Sequence, residues 1–279
     1  MHALAALLAA GQIHVVAAEN MWGSLAAQLG GSRVRVTSVV ASPAADPHDY
    51  EPTAVDARGF ATAQLLIVNG DGYDAWASKL IAANPVSGRI VLTVGDLVGA
   101  RTGGNPHLWY SPANVRTVAA AITRAYAKLD PTSTPYFRAL ASRFRTNALA
   151  QYDHLIAAIR RRFGGAPVGA SESIFAPLAR TLGLRLLTPP SFLQAISEGS
   201  EPTAGDITTI DRQIARREID VWVYNAQNST PDVARLTSRA RADRIPVVTI
   251  TETLAPANAT FEQWQVRQLK ALELALARR

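Results

Sequence analysis

Residues 134–163 carry an unbroken helical pattern, and that stretch limits the possible folds more than any other feature of this 279-residue chain. Thr134-Pro135 supplies a start signal, because proline is tolerated in the first turn, where its missing N–H has no intrahelical acceptor. Phe137, Leu140, Phe144, Ala148, Leu155 and Ile159 then recur at spacings of three, four or seven before Gly164-Gly165 ends the run. The pattern predicts one helix of roughly 30 residues, about 43 Å long at the α-helical rise. Such a helix is too long for a crossover inside one small lobe, so it is expected to be a rigid spine linking two.

On either side of it, short β-branched runs alternate with amphipathic stretches, the pattern of βαβ units and parallel sheets. Before it, IHVVAA (13–18), residues 33–41, LLIVNG (65–70) and RIVLTV (89–94) read as strands. Helices are expected over Met21 to Leu29, over Tyr73 to Ala83, and from Ser111-Pro112 to about Leu129. After it, strands are expected at APVGAS (166–171), LRLLT (184–188), DVWVYN (220–225) and PVVTI (246–250). Helices run through Leu182, up to Arg217, from about Pro231 to Ala242 and to the C-terminus, with a Pro-, Ser- and Gly-rich loop from 189 to about Ala204. The fold class is therefore α/β: two Rossmann-like lobes with parallel sheets, joined by one long helix. Lobe boundaries are set at 13–130, 131–165 for the spine, and 166–279. Residues 1–12 are read as a signal remnant or N-terminal extension, since Ala3 to Ala10 is apolar but far too short to span a bilayer.

The chain has no cysteine, which excludes a disulfide scaffold and any thiolate zinc or iron–sulfur site. Its formal net charge of +6 raises the question of nucleic acid. The densest basic run, Arg160-Arg161-Arg162, closes the predicted spine, where cations offset the negative end of the helix dipole. No nucleic-acid partner is expected.

Of five histidines, His2, His14 and His154 sit at the chain start, in a strand and on the spine, and read as surface or packing residues. His48 and His107 differ. Both follow proline in loops after predicted strands, in Asp46-Pro47-His48-Asp49 and Asn105-Pro106-His107-Leu108. Proline fixes its own φ and biases its predecessor toward extended backbone, so each imidazole is presented from a stiff loop, as a preorganised ligand requires. Imidazole is the commonest metal ligand near neutral pH. On spacing alone, a metal site and two unrelated loop histidines both remain open.

The segments DPHDYEP (46–52) and NPHLWYSP (105–112) closely resemble the first two ligand motifs of the zinc- and manganese-type solute-binding proteins of ABC importers. The resemblance extends from about residue 13 to the C-terminus and includes VNGDGYDAWASKL (68–80) and SEPTAGDI (200–207). A long spine helix is a hallmark of that family. The resemblance implies a metal site in the cleft between the lobes, with His48 and His107 as two ligands. A third, histidine or glutamate, opens the helix after the first strand of the second lobe, which implies Glu172. A fourth, usually aspartate, follows the last strand, and Glu252 stands there with one extra methylene.

The implied function is high-affinity, extracytoplasmic binding of a divalent cation and its delivery to a permease with its ATPase. The chain is expected to be a monomer, held at the membrane by the transporter or a lipid anchor, with no catalytic residues or catalytic cofactor. Manganese is placed slightly ahead of zinc as cargo, and iron third: no third histidine ligand and no histidine-rich loop are present, although zinc has the higher intrinsic affinity. Two other classes are weighed. A metallohydrolase would keep a coordination position open for water, and HExxH and GxSxG are absent. A binding protein for an organic solute or chelate would use Trp22, Tyr50, Trp109 and Tyr224 as cleft aromatics. Separately, Asn225 and Gln227 follow a predicted strand and read either as hydrogen-bond partners behind the ligands in the cleft or as turn residues.

Overall fold

The fold was obtained as a computed structural model that describes residues 11–43, 50–101 and 103–278. The first lobe is a parallel sheet of β1 (Ile13–Glu19), β2 (Val34–Val40), β3 (Leu65–Val68) and β4 (Ile90–Thr93), in the order β2-β1-β3-β4. Helices α1 (Asn20–Gly30), α2 (Ala54–Thr62), α3 (Ala75–Ala83) and α4 (Val94–Val98) connect or follow them. β3 is buried along its whole length, as expected of a strand covered by helices on both faces. Val15 and Ala17 of β1 enter the main core, whereas Val16 and Ala18 enter a smaller cluster with Phe60 and Trp76. Each fully buried aliphatic or aromatic side chain contributes about 1.5–3 kcal/mol relative to exposure.

After α5 (Pro112–Leu129), capped by Ser111 with Pro112 in its first turn, comes the spine. It is helical throughout but not uniform: α6 (Thr134–Arg143) and α7 (Ala150–Phe163) are joined by a π-helical turn, Phe144–Ala148. There the Leu149 N–H reaches the Phe144 carbonyl, five residues back, at 3.0 Å. A wide turn of this kind rotates everything beyond it about the helix axis. The two halves accordingly face different partners, α6 packing on α1 and α5, and α7 on α8 and α12. Periodicity predicts a single regular helix, and a one-residue change of phase is too small to disturb that pattern.

The second lobe repeats the arrangement with β5 (Pro167–Ala170), β6 (Arg185–Leu186), β7 (Val221–Asn225) and β8 (Val247–Ile250), all parallel, in the order β6-β5-β7-β8. Its helices are α8 (Ala176–Leu182), α9 (Pro190–Ser197), α10 (Ala204–Ala215), α11 (Pro231–Ala242) and α12 (Phe261–Leu276). α9 corrects the reading of 189–204 as loop. Pro190 is tolerated in its first turn, and Phe192, Leu193 and Ile196 supply a buried face that the surrounding Pro, Ser and Gly obscured. One continuous apolar core runs through both lobes and the spine. Among the described residues no helix is long and apolar enough to cross a membrane. Residues 1–10, which include most of the expected N-terminal extension, lie outside the described ones.

Because every strand is parallel, the loops at the carboxyl ends of both sheets gather on one side of each lobe, where ligands of open α/β sheets bind. Hydrogen bonds tie these loops across the cleft. Asn105 Nδ2 donates to the Ser173 carbonyl at 2.6 Å, Tyr73 Oη to Glu252 Oε2 at 2.7 Å, Tyr110 Oη to the Thr251 carbonyl at 2.9 Å, and Leu254 N to Asn20 Oδ1 at 3.0 Å.

Candidate metal centre

His107 begins the site. It precedes the short 3-10 turn Leu108–Tyr110 that leads into α5, and its ring is fully buried against Tyr73 and Trp109, both in edge-on contact. Asn105, two residues upstream, fixes it: Oδ1 takes the His107 backbone N–H at 3.0 Å and lies 2.9 Å from Nδ1. With its Nδ2 committed to Ser173, Asn105 presents oxygen to the imidazole, so Nδ1 carries a proton and Nε2 points into the cleft. Asn69, just past β3, holds the loop from beneath, donating from Nδ2 to the Pro106 carbonyl at 2.9 Å.

Glu172 arrives from the end of β5. It does not cap the 3-10 turn Ser173–Phe175 that follows; instead its Oε1 lies 3.2 Å from His107 Nε2. Glu252 arrives from the loop after β8, with Oε2 3.5 Å from the same nitrogen. That loop is held by Gln227, whose Oε1 accepts the N–H groups of Glu252 and Thr253 at 2.8 and 3.0 Å. Both carboxylates are essentially inaccessible, at 0% and 1% exposure, so three ionisable groups share one dry space. One donor atom from each of His107, Glu172 and Glu252 lies within 4.8 Å of the others.

The electrostatics follow from that crowding. Burial alone lowers the His107 pKa, but Glu252 and Glu172 favour the imidazolium more strongly and lift it to about 9. Tyr73 is pushed far above its usual range by burial and by Glu252, so its hydroxyl stays protonated and donates to Glu252. Asn225, the last residue of β7, sends Nδ2 to Glu172 Oε2 and, at 2.8 Å, to Glu252 Oε1.

Of the sequence-predicted ligands, the structure thus brings His107, Glu172 and Glu252 together, while His48 lies outside the described residues. His14 is part-buried on β1 and His154 is exposed on α7, both away from the cluster. Trp22 and Trp109 are fully buried and stacked edge to face behind His107, so they are packing residues and not cleft walls. Asn105, Asn69 and Tyr73 had no assigned role. The signal available for Asn105 was its place immediately before Pro106-His107, and for Asn69 its place at a strand's carboxyl end.

Beside the centre a cavity of about 800 Å³ opens between the lobes, walled by Asp71, Asn105 and Pro106 on one side and Ser173, Gln194 and Asn228 on the other. Asp71 and Glu198 line it, and among the described residues no lysine or arginine does.

Residues 15–275 match the family model described as "Zinc-uptake complex component A periplasmic". The chain belongs to this family. Its members are solute-binding proteins of metal ABC importers, not enzymes, and they work outside the cytoplasm. A relative from Treponema pallidum is 26% identical over 171 residues, 54% of this chain and 52% of that protein, so the alignment spans about half of each. The manganese ABC transporter substrate-binding lipoprotein PsaA of Streptococcus pneumoniae is 22% identical over 239 residues, 79% of this chain and 74% of that protein. Among solved structures, the periplasmic zinc-binding protein TroA from Treponema pallidum aligns with a TM-score of 0.77 at 21% identity, covering 95% of this chain and 99% of that one. That likeness concerns the two-lobed fold.

Proposed function

We infer that this zinc-uptake-family protein captures one divalent transition-metal ion through His48, His107, Glu172 and Glu252 and delivers it, as a monomer, to an ABC permease driven by its ATPase. The observation that carries the reading is the convergence of one imidazole and two carboxylates from both lobes on one buried point. Nitrogen and oxygen donors together suit first-row divalent ions, and the two carboxylate charges balance a dication in a space shielded from water. The acid-lined, cation-free cavity favours entry of a cation by raising its local concentration.

Manganese is the cargo placed first, because the carboxylates are hard donors and PsaA is a manganese protein by name; zinc is second, with the tighter intrinsic affinity. Elemental analysis of the purified protein, followed by calorimetric titration with each ion, tests both halves of this reading. The expected result is one ion per chain, and a thousandfold excess of free metal over Kd stabilises the native state by about 4 kcal/mol. Replacing His48 or His107 with alanine removes most of that gain. Metal binding equal to the parent in both variants would sink the ligand assignment.

A further inference from the structure

Resting on that reading of the centre, the hydrogen bonds around the two carboxylates assign a role to a residue that is not itself a ligand. Asn225 is fully buried at the end of β7. Its Oδ1 accepts the Gln227 N–H at 3.1 Å and its own N–H is bound to Ser171 Oγ at 2.9 Å, so the amide is held with nitrogen toward the cleft. The two Nδ2 hydrogens are both used, one on Glu172 Oε2 and one on Glu252 Oε1. The oxygens that remain on the His107 side are Glu172 Oε1 and Glu252 Oε2. Each carboxylate therefore has one oxygen held by Asn225 and one aimed at the imidazole, Glu252 Oε2 also accepting the Tyr73 hydroxyl at 2.7 Å.

We propose that Asn225 sets the denticity of the centre, holding Glu172 and Glu252 to one metal-facing oxygen apiece and thereby tuning which divalent ion is retained and how readily it leaves. Two carboxylates chelating through both oxygens would add two hard donors and build an oxygen-rich cage of the kind manganese prefers, whereas zinc is satisfied by four ligands. Withholding those two oxygens weakens the hold on manganese more than the hold on zinc. It also keeps the cargo releasable, which delivery to a transporter demands. The amide N–H groups lie between two like charges, so the same residue keeps the carboxylates side by side when no ion separates them.

The test compares the parent with Asn225→Leu, which keeps the branched shape and removes both donors. Zinc and manganese affinities are measured by competition against a chelator, and X-ray absorption at each metal edge counts the oxygens around the ion. The expected outcome is at least one added oxygen, with zinc affinity falling by about tenfold or more, the scale typical of outer hydrogen-bond partners, and manganese affinity falling less. A purely structural asparagine would weaken both ions by the same factor and leave the oxygen count unchanged, and that result overturns the proposal. Should Asn225→Leu fold poorly, Asn225→Ser keeps one donor hydrogen and is expected to give an intermediate zinc-to-manganese ratio. The parent spectrum alone is also decisive, since carboxylates bound through both oxygens there would overturn the proposal. A parent that binds neither ion, or a His107→Ala variant that binds both like the parent, would overturn the assigned centre itself.

Discussion

The two lobes can be laid over one another strand by strand, and the comparison isolates what makes one of them a metal-ligand platform. Ala17 pairs with Ile67 in the first sheet as Ala170 pairs with Val223 in the second. Two residues further along these strands, Glu19 matches Glu172 and Asn69 matches Asn225. The same residue types stand at equivalent places, and all four are fully buried. Glu19, however, lies beside Asp74, and burial followed by that carboxylate raises its pKa well above the ordinary range. Glu172 lies instead against His107. Asn69 spends its amide on the Pro106 carbonyl and on Trp22 Nε1, steadying the His107 loop, whereas Asn225 serves the carboxylates directly. The end of a parallel strand delivers a polar side chain to the cleft; the neighbour it meets there decides whether it becomes a ligand or a support.

The sharpest way to break this comparison is to remove the neighbour. His107→Ala leaves Glu172 and Glu252 buried without their imidazole, and removing one partner of a buried charge pair typically costs about 3–5 kcal/mol. Chemical denaturation at pH 7 should show that loss, and calorimetry should show metal binding abolished. A variant as stable as the parent and still able to bind would show that the pairing at Glu172 is not what distinguishes the lobes.

Proton competition should give the next largest effect. Sequence alone suggests that binding weakens below about pH 6.5, the ordinary histidine range. With the His107 pKa lifted to about 9 by the two carboxylates, the onset moves up: metal affinity should fall by as much as tenfold per unit as pH drops below that value. At pH 7, capture should release a proton, visible as a buffer-dependent binding enthalpy. The metal-free protein behaves in the opposite sense. A histidine whose folded pKa is raised contributes stability that is fully present below its unfolded pKa of about 6.5 and is lost as pH rises through about 9. Unfolding midpoints of the metal-free protein that climb between pH 7 and 9 would contradict the assigned pairing.

Asn69→Ala should have a smaller effect on metal binding, because it removes no ligand; it leaves the Pro106 carbonyl and the Trp22 indole without their partner, at about 1–3 kcal/mol of stability for each unsatisfied group. Differential scanning calorimetry reads that loss, and metal affinity should fall while the zinc-to-manganese ratio stays fixed, in contrast to Asn225. Glu19→Gln should do least. Burial beside Asp74 already disfavours the charged form of this carboxyl, so a neutral isostere should change stability and metal affinity by about 1 kcal/mol or less. Glu172→Gln, its positional counterpart, should instead lose metal affinity.

Much of the architecture is legible in the sequence. Parallel strands buried on both faces must be apolar and β-branched, and helix starts such as Ser111-Pro112 carry their own capping chemistry. The π-turn at Phe144–Ala148 and helix α9 were not legible, because the first shifts the periodicity by a single residue and the second is short and set among turn-forming residues. In the centre, the Pro-His motif marked His107 from local stiffness, whereas Glu172 and Glu252 were named through resemblance to a family. A lone glutamate at a strand end carries no local mark of ligation, as Glu19 demonstrates.

The sequence by itself therefore determined the two α/β lobes, the spine between them and the presentation of an imidazole from a rigid loop, since each depends on interactions within a few residues or on a repeating pattern. Only the tertiary structure decided which carboxylates meet that imidazole, how far they raise its affinity for a proton, and that Asn225 stands between them. Those properties arise from groups far apart in the chain, and their strength comes from a shared burial that no local pattern encodes.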